Sequence, residues 1–297
     1  ILKITHIGEP RQVTNFHTEA LLHIAKHNAS LPIPLLHPSL AGEYEVILHA
    51  DDKNSYVVRL LSFLPGIPLA HVTPSLQLRF NLGACLAQLG KALQDYAHPM
   101  ASSYELLWDA KHAARLKELV EYIVEPEKKK KLNQVLHNFE ENIYPTLQEL
   151  RWQVIHNDLN PHNVLVHPER TNQITGVFDF GDMVYTPLII DVAVGAAYNL
   201  DESDFSLDAV SAFIQGYHSE KPIQEKEIAV LYDLISVRLA MVILISNWRA
   251  TLYPENGEYL LRNHDASWKR LQQLMAISKK EATLIFNRAC NEASAHL

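Results

Sequence analysis

Two short stretches of this chain carry oxygen-bearing side chains at spacings suited to divalent-cation and phosphate chemistry. The first is Val154-Ile155-His156-Asn157-Asp158-Leu159-Asn160-Pro161-His162-Asn163-Val164-Leu165-Val166, of the form His-x-Asp-x4-Asn. The second is Val177-Phe178-Asp179-Phe180-Gly181-Asp182, whose Asp-Phe-Gly begins sixteen residues after Asn163. Carboxylate and carboxamide oxygens are hard donors, the kind magnesium accepts beside phosphate oxygens and water. Asp179 and Asn163 are therefore the candidate metal ligands. Asp158, on the loop before Asn163, is the candidate to accept a hydroxyl's proton or to orient that hydroxyl for attack. Phosphoryl transfer asks a protein for such positioning and for neutralisation of phosphate charge.

These groups need a rigid support, and the surrounding pattern supplies one. Residues 152–180 read as a β-rich insertion with two strands around the turn Pro168–Gln173, a hairpin at about 164–179. Gly181 is the residue expected to turn the chain away. Upstream, residues 1–5 read as a strand, and 14–28 as a helix with Phe16, Ala20, Leu21, Ile24 and Ala25 on one apolar stripe. Strand-like runs at 44–49 and 56–61 flank the turn-prone Asp51-Asp52-Lys53-Asn54. The stiff Ser62–Pro68 segment has the punctuation of a linker. Beyond it the period becomes helical: Pro74 to about Tyr96, 104–122, 126–150, 203–218, 224–250, 258–275 and 278–293. The expected fold is α+β and bilobal: a small β-rich lobe over 1–66, with its hinge at 62–66, and a large, mainly helical lobe over 67–297.

The bulk numbers exclude several classes. The 297 residues are 47% hydrophobic and 20% charged, ordinary globular values, with a formal charge of −8. No basic face stands out, which argues against a nucleic-acid partner. The most apolar long segment, Ala229 to Trp248, carries Asp233 and Arg238 and reads as a core helix, not a membrane span. Cys85 and Cys290 make no disulfide framework and point to a reducing cytoplasm. Lys128–Lys131 read as a solvated helix face, and His23 and His27 as helix-surface residues.

The motif pair, in this order and spacing, resembles the catalytic centre of the protein-kinase-like fold. More closely, it is similar to the aminoglycoside phosphotransferase/choline kinase/fructosamine kinase superfamily. Asn157-Asp158-Leu159-Asn160-Pro161-His162-Asn163 and Phe178-Asp179-Phe180-Gly181-Asp182-Met183-Val184-Tyr185 resemble its hydroxylysine-kinase-like branch. The resemblance covers nearly the whole chain and implies a transfer of the γ-phosphoryl group of ATP or GTP, with magnesium, to a hydroxyl of a small amine or hydroxylated amino acid. It assigns Lys3 to phosphate binding, Glu19 as its ion-pair partner, and Ser62, Phe63 and Leu64 to the hinge that meets the nucleotide base. Leu82-Gly83 through Leu93 echo the helix after the hinge, with Gly90 where His is more usual. Asp191 resembles the aspartate that braces the catalytic loop, and His156 is a structural histidine of that loop.

On the acceptor side, Asp182, Tyr198 and Trp248 are the candidate substrate contacts. Asp201 and Glu202 either join them or cap the next helix; His162 faces the substrate or packs in the loop. No Gly-rich loop precedes Lys3, and a chain opening on Ile1 inside a strand points to sequence upstream. The resemblance also implies a longer polypeptide fused to a class III aminotransferase-like enzyme. The competing readings are a nucleotide-binding pseudokinase, against which Asp158, Asn163 and Asp179 stand intact, and an antibiotic phosphotransferase. A protein kinase is disfavoured, because Tyr185-Thr186-Pro187 follow too soon for an activation loop.

Overall fold

The computed structural model describes residues 1–6, 8–49, 55–201 and 206–294; the turn read at Asp51–Asn54, Glu202 and the first residues of the helix read from 203 lie outside them. The first sheet is built around β4 (Ser55–Leu61). β1 (Leu2–Ile4) lies along one side of it, and β2 (Leu36–His37) and β3 (Val46–His49) along the other, all antiparallel. Lys3 sits directly across from Arg59 in this register. Helix α1 (Arg11–His27) joins β1 to β2 and buries Val13, Phe16, Ala20, Leu21 and Ile24, spaced to form one stripe. Pro32 and Pro34 follow it, where a helix cannot continue.

The chain then passes through Ser62–Gly66 into β5 (Ile67–Pro68), which pairs with β7 rather than with the first sheet. Helix α2 (Leu76–Ala92) starts on a Ser75 cap whose hydroxyl accepts from the Leu78 N–H. It crosses α6 (Asp208–Glu220) at backbone contact: a Cβ on Gly83 would stand 1.9 Å from the Phe213 carbonyl oxygen, and one on Gly216 would stand 1.9 Å from that of Phe80. Glycine at both positions is what lets the two helices meet.

Residues 104–122 do not form the expected α-helix. A short helix α3 (Pro99–Ser103) is followed by extended chain and a run of 3₁₀ turns over Ala110–Tyr122. Ala110, Ala113 and Leu116 are buried there, a spacing of three that fits three residues per turn. The expected helix 126–150 is α4 (Pro126–Asn138), then a π-helical turn over Phe139–Ile143 and a 3₁₀ turn over Tyr144–Glu149. Pro145 accounts for the break, since it has no N–H to continue an α-helical ladder.

Residues 152–180, where two strands are expected, hold three, and a fourth follows just beyond them. β6 (Trp152–Ile155) pairs with β9 (Val184–Pro187), and β7 (Val164–Val166) with β8 (Ile174–Val177). β9 is too short to announce itself by period; it exists because β6 offers an edge. After it come α5 (Ile189–Asn199), α6 and α7 (Glu225–Leu252). α7 is long and apolar enough to cross a membrane, yet 89% of its most apolar window is buried inside this fold. It opens on a reciprocal cap between Gln224 and Glu227. The helix expected at 258–275 splits into α8 (Gly257–Leu261) and α9 (His264–Ala276), and the one expected at 278–293 is α10 (Lys279–Ser294). Together these make a small sheet part and a larger helical part, the α+β architecture expected.

Candidate active site

Two strand pairs clamp the catalytic segments from both ends. β6 leads into residues 156–163, which return as β7; β8 leads into residues 178–183, which return as β9. Each segment therefore starts on one strand pair and ends on the other, so neither can shift alone. The buried carboxylate of Asp191, at the start of α5, closes the arrangement. Its Oδ1 accepts the Asn157 N–H at 2.8 Å and its Oδ2 the His156 N–H at 3.4 Å. Burial pushes its carboxyl pKa up, while His156 and these two N–H groups pull the other way. Asn157 is left-handed (φ 66°), a conformation asparagine tolerates. Its amide donates to the carbonyls of Asp182 and Trp108, tying the two segments together.

His156 is fully buried and its ring is fixed at both nitrogens. Nδ1 accepts the Asp158 N–H at 3.2 Å, so Nε2 carries the proton and donates to the Phe178 carbonyl at 3.2 Å. The ring also stands edge-on to Phe180 at 4.8 Å. With both nitrogens occupied within the loop, it is a brace rather than a base.

Asp158 is held by three donors. Asn163 and Asn160 donate their amides to its Oδ2 at 2.7 and 2.9 Å. Arg238 donates to its Oδ1 at 2.9 Å, from the middle of α7. Arg238 is 2% exposed, and its guanidinium lies over the rings of Trp108 (5.1 Å) and Tyr198 (5.8 Å). That cation–π pair offsets part of its desolvation. A carboxylate has about four acceptor positions, so Asp158 keeps one for an incoming hydroxyl. Because the Asn163 amide nitrogen is spent on Asp158, its carbonyl oxygen is the atom left for a cation.

Asp179 takes the left-handed conformation at the end of β8 (φ 62°), which corrects the expectation placed on Gly181: the turn is made by the aspartate itself, and Gly181 has no positive φ. Its carboxylate is half-exposed, 3.9 Å from Lys3 Nζ. Lys3, Asp179, Phe178, Ser62, Phe63 and Leu64 line one cleft of about 490 Å³ with Ile1, Pro34, Leu61, Gly66, Pro68 and Leu165. Ser62 spends its N–H on the Leu35 carbonyl, and its hydroxyl accepts the Leu35 N–H. Among the described residues no backbone group partners the amides of Phe63 and Leu64. Those two amides are available to a planar heterocycle's edge.

Glu19 is not brought to Lys3. It lies on the exposed face of α1, and among the described residues the two form no ion pair. Two residues along a helix is a turn of about 200°, so Glu19 points away when His17 points in. The buried His17 ring is the group that α1 presents here. Its pKa falls to about 4, through burial first and then the charges of Arg59 and Lys3. A buried histidine was not readable as such from an isolated position in the pattern.

The second cavity, about 530 Å³, is lined by Asp158, Asn163, Asp179, Asp182, His162, Trp108, Tyr198 and Arg238, and by Arg249, Tyr259 and Arg262 further out. Phe178 and Asp179 line both cavities, so the two adjoin at the candidate metal carboxylate. Burial, then the negative charge of Asp158, pushes the Asp182 carboxyl up to about 7. Tyr198 faces this cavity as expected. Trp248 does not: α7 turns Arg238, Val242, Ser246 and Arg249 toward the cavity, and Trp248 is off that stripe. Trp108 supplies the aromatic wall in its place. Asp201 belongs elsewhere, 3.8 Å from Arg79 beside a separate cavity.

Comparison with known proteins fits this geometry. The sequence profile of the phosphotransferase enzyme family matches residues 1–227. The chain belongs to this family. It is 32% identical over 236 residues to hydroxylysine kinase from Mus musculus, a match covering 76% of this chain and 63% of that protein. The chain thus spans less than two thirds of that relative's length. Among solved structures, an amicoumacin kinase in complex with AMP-PNP, Ca2+ and Ami superposes with TM-score 0.65 at 18% identity, covering 94% of this chain and 82% of the other. A microcompartment-associated aminopropanol kinase superposes with TM-score 0.55 at 17% identity, over 98% and 83% of the two chains. At these identities the likeness is one of fold.

The residues of this site missed from sequence include Asn160, Arg238 and Trp108. Arg238 had a signal: a lone arginine inside an apolar helix needs an anion once buried. Asp158 is that anion, eighty residues earlier, and only the fold brings them together.

Proposed function

We propose that this chain transfers the γ-phosphoryl group of ATP or GTP to the hydroxyl of a small amine or hydroxylated amino acid. One observation carries the reading: Asp158, Asn163 and Asp179 converge where an apolar cleft, with two backbone amides that have no backbone partner among the described residues, adjoins a charged cavity. The cleft suits a nucleotide, with the base against the amides of Phe63 and Leu64 and Lys3 near the phosphates. The charged cavity suits the acceptor.

The chain's own part in the reaction follows from the contacts. Arg238, Asn160 and Asn163 hold the Asp158 carboxylate in one orientation, with a lone pair left to accept the hydroxyl's hydrogen bond. The hydroxyl oxygen attacks the γ-phosphorus, the bond from that phosphorus to the β–γ bridging oxygen breaks, and the nucleoside diphosphate leaves. The hydroxyl proton passes to Asp158 or, through it, to solvent. Asp182 and the aromatic rings of Trp108 and Tyr198 suit the acceptor's ammonium group.

The donor set fits magnesium: a half-exposed carboxylate on Asp179 and the Asn163 carbonyl oxygen, both facing one cavity. These two residues would hold it, and when bound it supplies positive charge against the phosphate oxygens. A longer polypeptide, fused to an enzyme that eliminates the phosphate just installed, remains part of the proposal.

The test is a nucleotide-consumption screen with magnesium against hydroxylated amines, hydroxylated amino acids, sugars and polyols. Acceptor-dependent diphosphate release with the amine-bearing compounds is the expected result. Release that is independent of acceptor, or faster with sugars than with every amine, contradicts the acceptor assignment.

A further inference from the structure

Behind the lysine of the nucleotide cleft lies a second cation. Lys3 and Arg59 stand directly opposite each other on β1 and β4. Leu2, Ile4 and Leu60 turn their side chains out to solvent, so Lys3 and Arg59 share the other face of the sheet, where Arg59 meets α1. Directly opposed residues bring their Cβ atoms to about 5 Å, where like charges repel. The two differ in depth. The Lys3 side chain is half-exposed at the cleft, whereas Arg59 is 5% exposed.

Arg59 is buried without an anion. Among the described residues its one hydrogen bond runs from Nη1 to Thr18 Oγ1 at 3.2 Å, Nε has no partner, and no carboxylate lies within ion-pair distance. The charges of Glu9 and Glu45 act on it from further away, each carboxylate accepting instead from a neutral side chain, Thr14 and Asn15. His17, on which the charges of Arg59 and Lys3 both act, adds no charge of its own at neutral pH, since burial lowers its pKa to about 4. Glu19, which would have drawn Lys3 toward α1, is exposed. A buried cation with no counter-charge costs the fold stability.

We infer that Arg59 is a positioning residue for Lys3: its fixed charge turns the lysine ammonium away from α1 and into the cleft, where Asp179 and the nucleotide's phosphates are the available anions. A carboxylate on α1 would pull the ammonium inward; here a guanidinium on the neighbouring strand pushes it out. Lys3 Nζ accordingly lies 3.9 Å from Asp179 Oδ1 and makes no other ion pair among the described residues. Arg59 does not line the cleft, so it acts through Lys3 and not on the ligand. The inference rests on the proposed nucleotide cleft and adds what orients its lysine. The competing role for Arg59 is a pin that fastens α1 to the sheet through Thr18, and the test separates the two.

The experiment measures affinity by calorimetry for the magnesium complex of ATP or GTP and for the matching nucleoside, which has no phosphates. The chains are the wild type, Arg59→Met, Arg59→Lys, Thr18→Val, Lys3→Ala and the Lys3→Ala/Arg59→Met double variant. Arg59→Met should weaken nucleotide binding about five- to tenfold and leave nucleoside binding within about twofold. In the Lys3→Ala background the same substitution should cost less than about twofold, because the residue it acts through is gone. Its melting temperature should rise, since an unpaired buried charge has been replaced by an apolar side chain. Thr18→Val, which removes the hydrogen bond and keeps the charge, and Arg59→Lys should each hold nucleotide affinity within about threefold. Unchanged nucleotide affinity in Arg59→Met, or an equal loss with and without Lys3, would overturn the inference while leaving the kinase standing. Nucleotide and nucleoside weakened alike, with a lower melting temperature, would make Arg59 a pin and overturn it too. If Arg59→Met does not fold, Thr18→Val and Arg59→Lys decide: full nucleotide affinity in both supports the inference, and a loss of about tenfold in either overturns it. A wild type that binds neither nucleotide would sink the proposed function and this inference with it.

Discussion

The cleft beside Lys3 and the cavity around Asp158 share Phe178 and Asp179, yet they are built from opposite materials. The cleft is mostly apolar side chain, Ile1, Leu61, Phe63, Leu64 and Leu165, with its polar character left to backbone amides, Ser62, Lys3 and the shared Asp179. The cavity is lined by three carboxylates and three guanidinium groups, with aromatic rings between them. A flat heterocycle is held well by apolar faces and a pair of backbone groups, and such a wall tolerates substitution. A small charged acceptor must instead be held by a few fixed charges, each of which counts. The same contrast predicts where damage will be severe and where it will be mild.

The largest effect belongs at the point where the cavity does its chemistry. Asp158→Asn keeps the side chain's size but removes its charge and its proton-accepting capacity, so turnover should drop by about 10³-fold. Nucleotide affinity, read by titration calorimetry, should scarcely move, because the candidate metal ligands are Asp179 and Asn163. A parallel loss of nucleotide affinity would break the separation between the two regions.

Next comes the support of that carboxylate. Arg238→Met should lower kcat by roughly one to two orders of magnitude, since it removes one charged hydrogen bond and the geometry it imposes. Arg238→Lys should recover only part of the loss, because a compact ammonium cannot reach Asp158 and approach the Trp108 and Tyr198 rings together as the guanidinium does. Circular dichroism and the melting temperature would show whether the Met variant is folded. Full activity in a folded Arg238→Met would remove Arg238 from the account.

Much of the catalytic half was legible before any coordinates. His-x-Asp-x4-Asn and Asp-Phe-Gly are local, and the strands around them have the right residue types. The acceptor half was not, because its walls come from Trp108, Arg238 and Arg249, far apart in sequence, and no short-range pattern links them. Trp248 and Glu19 failed for one physical reason: choosing the correct helix does not choose the face, and one or two residues of error turn a side chain away. The irregular 104–122 segment escaped because a spacing of three and a spacing of 3.6 differ little over a few turns.

On the nucleotide side, Lys3→Ala should raise the nucleotide's KM about tenfold by removing one phosphate contact. Glu19→Gln should leave that KM within about twofold, as expected for an exposed site away from the cleft. Steady-state kinetics with varied nucleotide would check both, and equal effects would restore Glu19 as Lys3's partner.

The smallest effect is one of pH. Burial raises the folded-state pKa of Asp182 to about 7, above its ordinary value near 4, so the folded protein holds this proton where the unfolded chain has lost it. Stability from this group is therefore present at low pH and is lost as pH rises from about 4 through about 7. Asp182→Asn should raise the melting temperature of the ligand-free protein more at pH 8 than at pH 5. The same titration acts on binding in the other direction: an ammonium acceptor needs the charged carboxylate, so the wild type's KM for it should rise as pH falls below about 7. A flat KM from pH 8 to pH 6 would take Asp182 out of acceptor binding.

The central claim is that these two unlike regions meet to move one phosphoryl group onto an acceptor hydroxyl through Asp158. The most direct measurement is ³¹P NMR of the purified chain with ATP or GTP, magnesium and 5-hydroxylysine, run beside Asp158→Asn. The account predicts a phosphate monoester on the acceptor, growing in step with nucleoside diphosphate, and almost no ester from the variant although it still binds nucleotide. An ester formed by Asp158→Asn at the wild-type rate, or a wild type that releases only inorganic phosphate, would contradict it.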